Sequence, residues 1–203
     1  MAVDTPYASV RRAGDADRQK VLDVLTEAFM NDALACWLFP DAGRRGGLQA
    51  HFSRPLLTDP AAEAYLAGRS EGASVWQTLA AGQAPHEEGH DAPEAGKNAA
   101  FDESGARLQA LGQALAPRHP QHEPHLYLPF MGVIRGRQGT GLGSAMLRHR
   151  LGRADADGLP AYLEASSPRS RALYERHGFE ELGEPVRVAD SPLLWPMWRR
   201  PHR

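Results

Sequence analysis

The stretch VIRGRQGTGLGSAML, Val133 to Leu147, sets four glycines within eight residues, between an apolar run and the start of a helical pattern. The residues before it, His125 to Ile134, read as a strand, and Leu142 to Ala156 read as a helix. A strand that stops just before a helix begins aims several unpaired backbone N–H groups, and the positive end of the helix dipole, at one spot. Such a spot suits a phosphate or pyrophosphate. Glycine adds access to positive φ and lets a ligand approach the main chain closely. Gly139, Gly141 and Gly143 then form the floor of an anion site, with Gln138 as a side-chain donor. A flexible surface turn is the plain alternative, but glycine at alternate positions directly before an amphipathic helix argues against it.

On both sides of this stretch, strand and helix patterns alternate. Tyr7 to Arg12 reads as a short strand. Asp15 to Met30 reads as a helix, with an acidic cap and an apolar stripe at Val21, Leu22, Val24, Leu25, Ala28 and Phe29. Asn31 to Asp41 is apolar and aromatic, and Gly43 to Leu57 is expected to form a second helix. Ala61 to Ala67 and Ala73 to Leu79 read as strands joined by a Gly/Ser turn. Residues 84–100 carry two prolines and few large apolar side chains, which predicts a flexible loop. A helix from Glu103 to Ala116 precedes the central strand. After the glycines come a strand (Pro160 to Ala165), a helix (Pro168 to His177) and two closing strands (Glu181 to Val188, Leu193 to Arg199). The fold class is α/β, expected as a single domain over residues 1–203.

Composition narrows the function. The 203 residues are 42% hydrophobic and 24% charged, enough to bury a core, and 23 basic against 25 acidic residues leave a formal charge of −2. That balance predicts no nucleic-acid partner. No run of about 18 apolar residues exists, so no membrane span is expected. The single cysteine, Cys36, and an N-terminus without an apolar signal stretch point to a cytoplasmic protein.

A Walker A loop requires Gly-Lys-Ser/Thr, which the sequence lacks. The dinucleotide pattern G-x-G-x-x-G, counted from Gly139, meets Ser144 in its third glycine position, although Glu164 stands about where the ribose-binding acid of that motif would be. Gln138-Gly139-Thr140-Gly141-Leu142-Gly143, by contrast, fits [QR]-x-x-G-x-G, the signature of the GCN5-related N-acetyltransferase (GNAT) family. LEASSPRSRALYERHGFEE, Leu163 to Glu181, resembles that family's second hallmark, a strand, a loop and a helix carrying LYERHGF. Together they cover Leu126 to Glu181 in the family's order. APRHPQHEPHLYLPFMGV, RQGTGLGSAML, GLPAYLEASSPRS and YERHGFEEL are most similar to the puromycin-acetylating branch, while the N-terminal half matches only loosely.

The resemblance implies acetyl-CoA as cosubstrate and direct transfer of acetyl to an amine. It implies a mixed central sheet of six to seven strands flanked by helices, with two parallel strands splayed where the pantetheine arm enters. By position, the main chain at Met131, Gly132 and Val133 would pair with that arm, and Gln138, Gly139, Thr140, Gly141, Leu142, Gly143 and Ser144 would hold the pyrophosphate. Ser167 stands where many members place an asparagine that contacts the pantetheine. Tyr174 matches the tyrosine that protonates the departing thiolate, a role suited to a phenol; a packing residue is the alternative. A homodimer is an assembly common among members.

The residues themselves leave the base open. Glu164, at the end of its strand, points toward the splay if the side chains alternate as read, and is a candidate; anchoring a backbone N–H or pairing with Arg169 or Arg171 is the alternative. Trp37, Phe39, Phe52, Trp76 and Phe130 are named as a group for an apolar acceptor cleft, each alone being also a natural core residue. His86-Glu87-Glu88-Gly89-His90 formally matches H-E-x-x-H, but Pro85, Gly89 and Pro93 oppose the helix that motif requires. His119, His122 and His125 lie among prolines and read as surface residues of a connector. No metal is expected. The expected function is therefore N-acetylation of a primary amine on a small molecule, an antibiotic of the puromycin or aminoglycoside kind. The alternatives are acetylation of a protein or peptide amine, and a non-catalytic acyl-CoA sensor.

Overall fold

His125 to Val133 forms the longest strand, β4, at the centre of a seven-stranded sheet. The computed structural model describes residues 9–83, 85 and 99–202, without the side chains of 99–102. The H-E-x-x-H segment and nearly all of the expected 84–100 loop lie outside the described residues. The other strands are β1 (Val10–Arg12), β2 (Ala62–Ala67), β3 (Gly72–Leu79), β5 (Ala161–Ala165), β6 (Glu180–Glu181) and β7 (Trp195–Arg199), in the order β1-β2-β3-β4-β5-β7-β6. Every pairing is antiparallel except β4 with β5.

The helices are α1 (Arg18–Phe29), α2 (Ala33–Leu38), α3 (Arg45–Thr58), α4 (Ala99–Leu115), α5 (Leu142–Ala156) and α6 (Pro168–Glu175). α1 and α3 cover one face, where Val21, Leu22, Leu25, Leu56 and Leu57 pack on Leu66, Ala73 and Val75. α5 and α6 cover the other, where Leu147, Leu151 and Tyr174 pack on Leu126, Leu128, Leu163 and Met197. Alternation along β5 sorts Ala161, Leu163 and Ala165 to the α5–α6 face, and Tyr162 and Glu164 to the opposite one.

The register contains the feature that makes the site. Val75 pairs with Phe130, but Gln77 pairs with Tyr127, so Leu128 and Pro129 of β4 stand opposite Trp76 alone. This is a β-bulge, and proline, which has no N–H to give a ladder, is suited to it. β4 meets β5 only at Leu126↔Ala161 and Tyr127↔Tyr162, while Leu163 to Ala165 pair with β7. From the bulge onward, the two parallel strands diverge.

Boundaries differ from expectation for local reasons. The first helix begins with a 3-10 turn at Asp15–Asp17 before α1 proper. α2 occupies the apolar segment left unassigned in the sequence, started by Asp32, whose side chain accepts from the N–H groups of Leu34 and Ala35. α4 begins at Ala99, inside the expected loop. The penultimate strand is cut to Glu180–Glu181 and a single bridge, Val186↔Leu194, because Gly183 at φ +77° turns the chain between them.

Candidate functional site

The divergence of β4 and β5 opens a cleft of about 630 Å³. Glu27, Ala28, Asn31, Asp32 and Ala33 line it from the end of α1 and the turn into α2; Met131, Gly132 and Val133 line it from β4. The glycine loop contributes Gln138, Gly139, Gly141, Gly143 and Ser144, and the α6 segment contributes Ser167, Arg169, Ser170, Leu173, Tyr174 and Arg176. Because α1 and α6 pack on opposite faces, the cleft passes through the sheet.

Gly139 and Gly141 have φ of +85° and +90°, and Gly141 is the left-handed N-cap of α5. A side chain at either would cost about 1–2 kcal/mol in backbone strain. Arg169 donates to the Gln138 carbonyl oxygen at 3.2 Å, which turns the Gln138 amide nitrogen toward the Val133 carbonyl at 3.4 Å. Arg135 and Arg169 add positive charge to the lining, while Arg137 is drawn away to Glu71 at 2.7 Å. Backbone N–H groups, a helix start and guanidinium groups thus meet in one place, as binding of a diphosphate requires.

Thr140 and Leu142 are placed differently from the rest of the loop. The Thr140 hydroxyl donates to the Arg137 carbonyl at 2.6 Å and stiffens the turn. Leu142 is buried with Met146 and Ala67 and anchors α5. Neither lines the cleft. Ser167 caps α6 by accepting the Ser170 N–H at 3.1 Å, while the Ser170 hydroxyl lies 2.9 Å from the Ser167 carbonyl that it donates to. The Ser167 hydroxyl also lies 2.9 Å from the Ser170 hydroxyl, so its proton goes to that oxygen while the Ser170 proton goes to the carbonyl, and one acceptor site on Ser167 is left for a ligand.

Tyr174 lines the cleft with its ring against Phe179, centroids 5.9 Å apart. Burial, and then the negative charge of Asp32, hold its phenol well above the ordinary tyrosine range. It is therefore protonated at neutral pH and available as a donor.

Glu164 is not among the residues lining the cleft. It projects from the other face of β5, where the Tyr127 hydroxyl donates to it at 3.1 Å. Burial raises its carboxyl to about 7, against the opposing influence of Tyr162 and Tyr127. Arg169 bonds Gln138 instead, and Arg171 pairs with Glu175 and Glu181. Against Tyr127 and Tyr162, His119 and His125 meet Nε2 to Nε2 at 2.9 Å. The expectation of surface histidines is corrected for this pair: His119 is 6% exposed and His125 is fully buried, and burial lowers both below the usual imidazole range, His119 to about 3. They remain neutral packing partners of Tyr127 and Tyr162.

Of the five aromatic residues expected to share a cleft, Trp37, Phe39 and Phe52 fall in one hydrophobic cluster, Trp76 and Phe130 belong to two others, and none lines the cleft beside the glycine loop. Trp76 is wholly buried under the bulge and donates its indole N–H to Ser74 at 3.0 Å. Phe130 tilts against Phe29, Phe39 stacks on Phe52, and the Trp37 indole donates to Asp190 at 2.8 Å beneath the Arg107 guanidinium. Packing accounts for each of them. Asn31, Asp32, Arg135 and Arg176 were not singled out in the sequence. Asp32 had a signal available, an acid at the head of an apolar segment, which is a helix cap.

Among the described residues no three His, Cys, Asp or Glu side chains gather as a metal site, and no helix is long and apolar enough to cross a membrane. The sequence profile of the Acetyltransferase (GNAT) family matches residues 75–179. The fold is similar to that of a histone acetyltransferase HPA2 and related acetyltransferase from Corynebacterium glutamicum. The two are 30% identical, with 97% of this chain and 98% of that one covered and a TM-score of 0.69. Arylalkylamine N-acetyltransferase 2 from Aedes aegypti (16% identity, 96% and 99% covered, TM-score 0.66) and the ribosomal-protein-S18-alanine N-acetyltransferase from Escherichia coli (14%, 97% and 95%, TM-score 0.55) share the fold.

Proposed function

The chain belongs to the GNAT family and is an acetyltransferase of that type, and on that footing we propose that it moves acetyl from acetyl-CoA directly to a primary amine of a small molecule in the cytoplasm, with an antibiotic of the puromycin or aminoglycoside kind as the acceptor. The observation that carries the reading is the cleft through the sheet, with a diphosphate-binding loop at the start of α5 and a protonated tyrosine beside it. The fit to acetyl-CoA rests on this chain's own features. β3 occupies one edge of β4, while the edge at Met131–Val133 lacks β5 and is open to the amide groups of a pantetheine arm. The left-handed Gly139 and Gly141 clear space for the diphosphate, and Arg135 and Arg169 balance its charge.

Within this site Tyr174 holds the proton that a departing sulfur needs, and its burial keeps that proton in place until a strong base forms nearby. Cys36 sits in α2 and does not line the cleft, in keeping with transfer without an acyl-enzyme. The test is a thiol-release assay with acetyl-CoA against puromycin, kanamycin, tyramine and a lysine-bearing peptide. Transfer to a small amine, reduced about 100-fold or more in Tyr174→Phe and unchanged in Cys36→Ala, is expected. Release with the peptide alone would move the acceptor to a protein amine, and acetyl-CoA binding without release would favour a sensor.

A further inference from the structure

The cleft has a second polar end that the diphosphate loop leaves unused. α1 stops at Phe29, and two residues beyond it Asn31 and Asp32 face the cleft from the side of the sheet opposite α6. Asp32 is partly buried, and both of its capping bonds, from Leu34 N–H at 2.9 Å and Ala35 N–H at 3.1 Å, go to Oδ1. Oδ2 takes part in neither bond, and Asp32 lines the cleft. Asp32 also lies near enough to Tyr174 for its charge to act on the phenol. The segment carrying it is fixed from behind. Arg45 of α3 is buried and donates to the carbonyl groups of Met30 at 2.9 Å, Phe39 at 2.8 Å and Pro40 at 3.1 Å. Three bonds from one guanidinium pin both ends of α2, so the carboxylate is held rather than left to swing.

We propose that Asp32 binds the acceptor as an ammonium ion and takes its first proton, so that the acceptor is a cationic primary amine entering from the α1–α2 side of the sheet. This rests on the acetyl-transfer reading above and supplies the base which that reading lacks. The proton inventory closes. The ammonium gives one proton to Asp32, which passes it to water at the cleft mouth. The amine nitrogen bonds to the acetyl carbon as the carbon–sulfur bond breaks, the sulfur leaves with the Tyr174 proton, and the second amine proton returns to the Tyr174 oxygen. One proton is released in each turnover. The other charged and titratable groups lining the cleft are Glu27 of α1, Arg135 after β4, Arg169 and Tyr174 of α6, and Arg176 just beyond it; Arg169 is bonded to Gln138. Glu27 is exposed and stays solvated, whereas Asp32 loses part of its hydration and gains more from a cationic partner.

Asp32→Asn removes the charge but keeps a capping oxygen, so α2 is retained. With an amine that the wild type acetylates, kcat/KM should fall about 100-fold or more, the acid limb of the pH profile should disappear, and Asp32→Glu should recover part of the loss. Dissociation constants for acetyl-CoA should stay close to wild type, because Asp32 is not among the groups that hold the diphosphate in the acetyl-transfer reading. Wild-type kcat/KM and pH profile in a folded Asp32→Asn would overturn the proposal. So would a loss confined to Glu164→Gln, which would assign the proton to the tyrosine–histidine side of β5. A wild type that binds acetyl-CoA but acetylates no amine of the panel overturns the acetyl-transfer reading, and this one with it.

Discussion

Gly132→Ala tests whether the cleft depends on how closely α1 approaches β4. A Cβ built on Gly132 would lie 2.7 Å from the Ala28 Cβ, with Leu25 Cδ2 and Phe29 Cε2 both at 3.6 Å. Carbon atoms in good contact sit about 3.5–4.0 Å apart, so about 1 Å of separation must be found. Neither methyl can rotate away, since each is fixed to its backbone, and the strain falls on α1 as a body. Overpacking of this kind costs about 1–3 kcal/mol, and two rigid partners place it in the upper half of that range. Replacing glycine within a strand returns about 0.5 kcal/mol of backbone entropy, too little to cancel it. For a chain of this length each kcal/mol shifts Tm by about 2–4 °C, so scanning calorimetry should show Tm lower by roughly 3–10 °C. Ala28 lines the cleft and α1 leads into Asp32, so the rise in Tm produced by saturating acetyl-CoA should also shrink. A variant that melts within about 1 °C of wild type would refute the reasoning, because α1 would then not rest on Gly132.

Two further outcomes concern titratable groups. Asp155 accepts from both Nη1 and Nη2 of the buried Arg199 at 2.7 and 2.8 Å, and Arg199, then the His202 N–H, hold its carboxyl below the ordinary range. Its folded-state pKa is depressed, so its contribution is present above the unfolded value and lost as pH falls through the folded one. Asp155→Asn should therefore cost about 2–3 kcal/mol at pH 7, the low side of a broken buried pair because Asp155 is itself partly exposed, with the difference in Tm closing as pH falls through the depressed folded-state pKa. Glu164 has the opposite sign. Its folded pKa is raised from 4.5 to about 7, so stability is lost as pH rises through that window, and the fall in Tm between pH 5 and 8 should flatten in Glu164→Gln; an unchanged slope would refute the assignment.

The C-terminal half was legible in the sequence because its chemistry is carried by backbone rules. The helix α5 runs over the expected Leu142–Ala156, since glycines mark its start and an apolar stripe its length. Nine of the expected loop and strand positions face the cleft because φ, helix starts and strand ends follow from local residues; Leu142 and Thr140 turn their side chains elsewhere, because inclusion in a motif does not say which way a side chain points. The five aromatics lie outside this cleft for a related reason. A large apolar side chain signals burial, and burial in a layered fold has several destinations, of which a cleft is only one. The sequence gives no local sign that Trp76 sits under a bulge made by Pro129, forty and more residues away.

Glu164 and Asp32 exchange places in the site for a reason that lies in the sheet. Alternation along β5 is expected to turn Glu164 toward the splay, but the strand's two faces lead to different compartments: Leu163 packs with Tyr174, while Glu164 faces Tyr127. Whether an acid at a strand end reaches the reacting atoms then depends on where the neighbouring strand departs. Here β4 leaves β5 at Leu128, and the cleft that opens is lined from the α1 side by the turn that Arg45 pins. Asp32 on that turn lines the cleft with both of its capping bonds on one oxygen, whereas Glu164 lies outside the cleft and accepts from Tyr127. The bulge at Pro129 thus both opens the site and selects which acid it contains.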